Sequence, residues 1–116
     1  MHELSLTQSV VDICTARAAE QGEGARVTHV TLEVGVLSAV MPDAMRFCFE
    51  ICAKDTALEG AELEIIVIPG RARCLDCAGE VAVTQLYGTC TCGSANLIPI
   101  SGEELRVKQM EVEECA

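Results

Sequence analysis

Cys74-Leu75-Asp76-Cys77, followed after twelve residues by Cys90-Thr91-Cys92-Gly93, is the stretch on which the reading of this chain turns. Zn(II) takes four soft, deprotonated ligands in a tetrahedron, and a Cys-x-x-Cys turn sets two sulfurs on one edge of it without backbone strain. Two such turns facing each other close a site, here through Cys74, Cys77, Cys90 and Cys92. The first pair has the expected spacing with Gly79 behind it, whereas the second has one intervening residue rather than two. Val81, Val83, Leu86, Tyr87 and Gly88 read as a short hairpin that brings the pairs together, giving a zinc ribbon or knuckle. Two other uses of the thiols stay open at this point. One is a pair of structural disulfides, which needs an oxidising compartment. The other is a redox dithiol at Cys74 and Cys77, although nothing nearby has the strand-to-helix setting of a thioredoxin-type site.

The whole chain has 116 residues, half of them apolar, and fits a single small domain around this insert. With three aromatic residues and no Trp, its core has to be aliphatic. The first residues lack the basic region and apolar run of a signal peptide, and no segment is long enough to cross a bilayer. A cytoplasmic location is therefore expected, where eight cysteines favour metal ligands and buried thiols over disulfides. Eighteen acidic against eight basic residues give a net charge of −10, which opposes binding to a phosphate backbone. Nucleic acid is thereby excluded, and an acidic surface suits basic protein partners or metal cations.

Outward from the cysteines, periodicity predicts the order helix, strand, helix, strand, cysteine module, strand. Ser5 and Gln8 form a capping-box pattern, and Leu6, Val10, Ile13 and Cys14 share a face of a first helix over about residues 6–20, stopped by Gly22 and Gly24. From Val27 the period becomes two, with Val30, Leu32, Val34 and Val36 on one side and His29, Thr31, Glu33 and Gly35 on the other. Pro42 begins a second helix, with Asp43 in its first turn and Met45, Cys48, Phe49 and Cys52 on one face; the two thiols there read as small hydrophobes. Glu62–Ile68 is a second strand, ended by Pro69-Gly70, and Leu105, Val107, Met110 and Val112 mark a third whose apolar phase slips near Gln109. Cys115 lies on an acidic tail and reads as a free thiol. Three strands covered by two helices make an α+β fold. The expected division is residues 1–69 with 101–116 as one domain and residues 70–100 as the zinc-binding domain.

The start of the chain offers a second metal chemistry. The Met1 amine, the amide nitrogen and ring of His2, and the backbone nitrogen of Glu3 can surround Ni(II) or Cu(II) in the square plane these ions favour. Glu3 can add a carboxylate or complement the dipole of the helix that follows.

Taken together, the motifs resemble the HypA/HybF hydrogenase-maturation factors. They are Met1-His2-Glu3-Leu4-Ser5-Leu6, Leu32-Glu33-Val34-Gly35 with Leu37-Ser38 and Pro42, Phe47-Cys48-Phe49-Glu50, Cys74-x-x-Cys77, Tyr87-Gly88, Cys92-Gly93-Ser94, and Gly102-Glu103-Glu104-Leu105 with Lys108 and Met110-Glu111-Val112. The resemblance covers nearly the whole chain. It implies a nickel metallochaperone, a carrier and not an enzyme, that works with a nickel-handling GTPase of the HypB type to place Ni(II) in the large subunit of a [NiFe]-hydrogenase. It further implies nickel bound through His2 with nearby backbone nitrogens and a carboxylate, and structural zinc in the cysteine module. One departure stands out: Thr89 occupies the position of the first cysteine of the second pair, and Cys90 comes one residue late. Cys90 is the better ligand, because Thr binds zinc poorly. Two readings from other classes are a zinc-ribbon interaction module that carries no metal cargo and a thiol oxidoreductase using Cys74 and Cys77. Monomer and homodimer are equally open.

Overall fold

The computed structural model describes residues 2–85 and 88–114, His2 by its backbone alone. Its elements in order are α1 (His2–Ala19), β1 (Arg26–Gly35), a 3-10 turn (Val36–Ser38), α2 (Pro42–Ala53), β2 (Glu62–Ile68), β3 (Arg71–Cys74), β4 (Glu80–Ala82), β5 (Leu97–Ser101) and β6 (Leu105–Glu113). They build two three-stranded sheets, in the orders β2-β1-β6 and β4-β3-β5. Two helices with small sheets make this an α+β protein, as the periodicities predict. Among the described residues no helix is long and apolar enough to cross a membrane.

Within the described residues, one unit comprises 2–32, 41–66 and 106–114. Its core is aliphatic apart from Phe49: Val10, Val11, Cys14 and Ala18 from α1, Val27, Val30 and Leu32 from β1, Met45, Phe49 and Ala53 from α2, and Leu58. The buried face of α1 follows Thr7, Val11, Cys14 and Ala18, at helical spacing, whereas Ile13, expected on that face, is 49% exposed. The helix also starts earlier than residue 6. Thr7 Oγ1 donates to the Glu3 carbonyl (2.6 Å) and Ser9 Oγ to the Ser5 carbonyl (3.2 Å). Such i−4 contacts form on a helical backbone, so Ser5 is an interior residue and not a cap. Gln8 donates instead to Asp12 Oδ1, one turn on, at 2.9 Å. The helix ends at Ala19, ahead of Gly22 and Gly24 at φ 129° and 83°. On α2, Met45, Phe49 and Ala53 are buried, while Cys48 and Cys52 are half-buried along the flank. In β6 the exposed residues Lys108 and Gln109 are consecutive, which carries the inward phase from Leu105 and Val107 to Met110 and Val112.

The second unit comprises residues 33–40 and 67–105. Here β1 stops at Gly35, one residue before the expected Val36, because the backbone turns to meet another chain segment. Gly35 N–H donates to the Glu104 carbonyl (2.7 Å), and Leu37 N–H donates to the Gly102 carbonyl (2.5 Å). Ser38 Oγ closes the turn on the Gly35 carbonyl at 2.7 Å. The small sheet is centred on β3, whose alternation Arg71-Ala72-Arg73-Cys74 buries Ala72 and Cys74 and exposes both arginines. β3 pairs antiparallel with β4 (Arg73↔Glu80, Ala72↔Val81) and with β5 (Cys74↔Leu97, Arg73↔Ile98). The expected hairpin between the cysteine pairs is thus replaced: β4 folds back on β3, and the described residues from Val83 to Thr89 form no strand. Leu86 and Tyr87, part of that expectation, lie outside the described residues.

Candidate metal centre

Cys74 is the last residue of β3, the turn from β3 to β4 carries Cys77, and the segment leading into β5 carries Cys90 and Cys92. Ala78 N–H donates to the Cys74 carbonyl (2.9 Å) and Cys74 N–H to the Gly79 carbonyl (2.8 Å), which curls the first pair. Gly93 N–H donates to the Cys90 carbonyl and Cys90 N–H to the Ser94 carbonyl, both at 2.8 Å, which curls the second. Leu75 N–H reaches across to the Asn96 carbonyl at 2.9 Å.

This brings all four sulfurs within 4.8 Å of one another. Cys74 Sγ stands 3.7 Å from Cys92 Sγ, and Cys77 Sγ stands 3.6 Å from Cys90 Sγ. A disulfide would require about 2.05 Å. A tetrahedron with Zn–S bonds of about 2.3 Å has edges of about 3.8 Å. The separations match the second figure, and each of the four cysteines is free. Thr89 is exposed, and Cys90, one residue later, is buried within the cluster.

The backbone around the sulfurs favours their ionised form. The Cys77 N–H, foremost, and the Asp76 N–H point at Cys74 Sγ and, with neighbouring thiols, bring it down to about 6 against the effect of burial. The Cys92 N–H does the same for Cys90, whose pKa is lowered. Gly79 N–H faces Cys77 Sγ, yet the thiols of Cys90 and Cys74 outweigh it and raise Cys77. Ser94 N–H faces Cys92, which Cys90 and Cys74 nevertheless push up to about 12. Two sulfurs are thus shifted toward the thiolate and two toward the thiol, because adjacent negative charges repel. A soft divalent cation supplies the charge that lets all four ionise, so the donor set fits Zn(II).

The other thiols among the described residues, Cys14, Cys48 and Cys52, are not members of this cluster. Cys14 is fully buried in α1 and burial raises its pKa. Cys52 is raised by burial first, then by Cys48 and Asp12. Cys115 lies outside the described residues. At the N-terminal stretch where the sequence leads one to expect nickel, Met1 is likewise outside them, and His2 opens α1. Glu3, in the first turn of α1, accepts the Met41 N–H on its carboxylate at 3.3 Å.

Two arrangements were not foreseen from the sequence. His29 lies between two carboxylates of β2, Nδ1 3.6 Å from Glu62 and Nε2 3.3 Å from Glu64, with the Thr31 hydroxyl 3.3 Å from the same Glu64 oxygen. The spacing Glu62-x-Glu64 puts both acids on one face of a strand, but only strand pairing shows what they face. Asp76, inside the first cysteine pair, accepts hydrogen bonds from Ser94 and Asn96 beyond the second.

Comparison with known proteins assigns the family. The family model described as HypA, hydrogenase/urease nickel incorporation, metallochaperone, matches residues 1–112. The hydrogenase maturation factor HypA of Nostoc punctiforme is 53% identical over 114 residues, spanning 98% of this chain and 97% of that protein. The protein of that name from Geobacter metallireducens is also 53% identical, over 97% of this chain and all of the relative. Among solved structures, a HypA solution structure superposes with a TM-score of 0.70 at 26% identity over 96% of this chain and 95% of the other. The nickel metallochaperone HypA of Helicobacter pylori gives 0.66 at 25% identity, over 94% and 95%. The chain therefore belongs to the HypA family of nickel-incorporation metallochaperones.

Proposed function

We propose that this protein is a two-metal carrier, a metallochaperone and not an enzyme, that takes up Ni(II) at its N-terminus and delivers it to the large subunit of a [NiFe]-hydrogenase with a HypB-type GTPase. The observation that supports this most is the family match, which begins at residue 1 and so includes Met1-His2-Glu3. In this reading Met1 and His2 supply nitrogen donors and Glu3 stands beside them, its carboxylate held by the Met41 N–H. Zn(II) is held by Cys74, Cys77, Cys90 and Cys92 and is structural. Residues 1–69 with 101–116 form the nickel domain, residues 70–100 the zinc domain, and the protein works in the cytoplasm.

A carrier has to bind its cargo selectively and still release it. Donors drawn from the end of a helix satisfy both needs, because a terminal turn opens without unfolding the domain. Protons compete with the cargo for His2 and for the coordinated amides, so nickel should leave as the pH falls through the imidazole range. Full nickel retention at pH 5 would contradict this assignment. The direct test is metal analysis with calorimetric nickel titration of untagged protein, beside His2→Ala and an N-terminally extended form. The expected result is one zinc and one nickel in the wild type, with nickel alone lost in both altered forms. Nickel uptake that survives both changes would place the cargo elsewhere.

A further inference from the structure

The short spacing of Cys90 and Cys92 leaves the second pair with a smaller turn than the first, and the structure supplies a brace at this point. Asp76 sits between Cys74 and Cys77, and its Oδ2 accepts the Ser94 hydroxyl and, at 3.2 Å, the Asn96 side-chain N–H. Ser94 Oγ in turn accepts the Asn96 backbone N–H at 3.0 Å, and the Ser94 carbonyl accepts the Cys90 N–H at 2.8 Å. One carboxylate oxygen in the first loop thus gathers the residues that shape the second. A further backbone bond, Leu75 N–H to the Asn96 carbonyl at 2.9 Å, runs beside it.

We propose that Asp76 is a positioning residue for the zinc site: it fastens the two cysteine pairs together and holds the short Cys90-x-Cys92 pair in register for the cation. The proposal rests on the zinc reading given above. Its physical basis is that an acceptor hydrogen-bonded to the residues that flank a metal ligand fixes the orientation of that ligand. Ser94 N–H faces Cys92 Sγ, so displacing Ser94 withdraws a donor from a ligand as well as loosening the loop. Both side-chain donors meet the same oxygen, so a single oxygen acceptor at residue 76 suffices.

The test is the rate at which a coloured chelator strips zinc from the zinc-loaded full chain, for wild type, D76A, S94A, D76A/S94A and D76N. D76A is expected to release zinc about tenfold faster. D76N, which keeps an oxygen for both donors, should stay within about threefold of wild type. S94A and D76A break one shared contact, so the double variant should be much less affected than the product of the two single effects. Cobalt-loaded forms provide a second readout, in which D76A alters the thiolate charge-transfer and ligand-field bands and D76N restores them. A D76A release rate equal to wild type, fully multiplicative effects, or D76N as fast as D76A would overturn the proposal. Should D76A fail to fold, an unchanged rate in S94A alone would overturn it. Wild-type protein that takes up no zinc, or shows no cobalt–thiolate bands, would instead remove the zinc reading and the proposal with it.

Discussion

Gly35→Ala is expected to destabilise the protein by about 3 kcal/mol or more, a large share of the ~5–15 kcal/mol that holds an ordinary domain together. The backbone angles at Gly35, φ −78° and ψ 145°, suit any residue, so the penalty is entirely steric. An added Cβ would lie 2.0 Å from the Gly102 carbonyl oxygen, 2.1 Å from its carbon and 2.6 Å from the Glu103 nitrogen. These are main-chain atoms, and they are tied in place by the Leu37 N–H to Gly102 and Gly35 N–H to Glu104 bonds. A side chain could rotate aside, whereas this segment can move only by giving up those bonds. The control is Gly60→Ala. Gly60 has φ +80°, but a methyl group added there would meet nothing within 4 Å, so the cost is conformational strain alone, about 1 kcal/mol. Urea unfolding of both variants followed by circular dichroism separates the cases. A Gly35→Ala midpoint no lower than that of Gly60→Ala would show that the close approach is absent in solution.

Removing zinc is expected to have the other large effect, loss of ordered structure in the cysteine-bearing unit while the helical unit keeps its fold. The strands of the small sheet are three to five residues long, and Ile98 and Ile100 of β5 are 50% and 48% exposed. Ala72, Cys74 and Cys90 are among the few buried apolar side chains near the cluster. Sheets this small do not bury enough apolar surface to offset chain entropy unaided. A structural Zn(II) bound to thiolates contributes on the order of 10 kcal/mol of apparent folding free energy. Adding a strong chelator should therefore collapse the amide dispersion of residues 67–105 in a nitrogen–proton correlation spectrum. The helical signal at 222 nm, which comes mainly from α1 and α2, should persist. Acidification should act in the same direction as the chelator, because thiolates that regain protons release the metal. Unchanged spectra after complete zinc removal would mean that hydrogen bonds alone maintain the module.

Much of the architecture follows from local pattern. The strand at β1, the Pro42 start of α2, the Glu62–Ile68 strand and the phase slip at Gln109 are each set by neighbouring residues and each is found in the structure, although Thr31 and Gly35, expected on the polar side of β1, are buried. The spacing of cysteines likewise singled out the four sulfurs that converge, since two tight turns can bring thiols together only if strands align them. Pattern misled at two places, one a helix start and the other a strand end that a contact distant in sequence decided. Ser5 looks like a cap, yet α1 begins at His2, with Thr7 bonded back to the Glu3 carbonyl. Val36 continues the apolar alternation of β1, yet the strand ends where Gly35 meets Gly102, a residue far along the chain.

The sequence by itself determined the element types, the aliphatic core and the four-cysteine stretch whose sulfurs converge. These depend on side-chain chemistry and short-range spacing, which can be read without coordinates. Only the tertiary structure decided that β3 lies at the centre of the small sheet and that Cys90 joins the cluster despite its spacing. It alone placed Asp76 against Ser94 and Asn96, and His29 between Glu62 and Glu64. Each of these is a juxtaposition across strands or loops, fixed by backbone pairing between residues whose local sequences carry no record of one another.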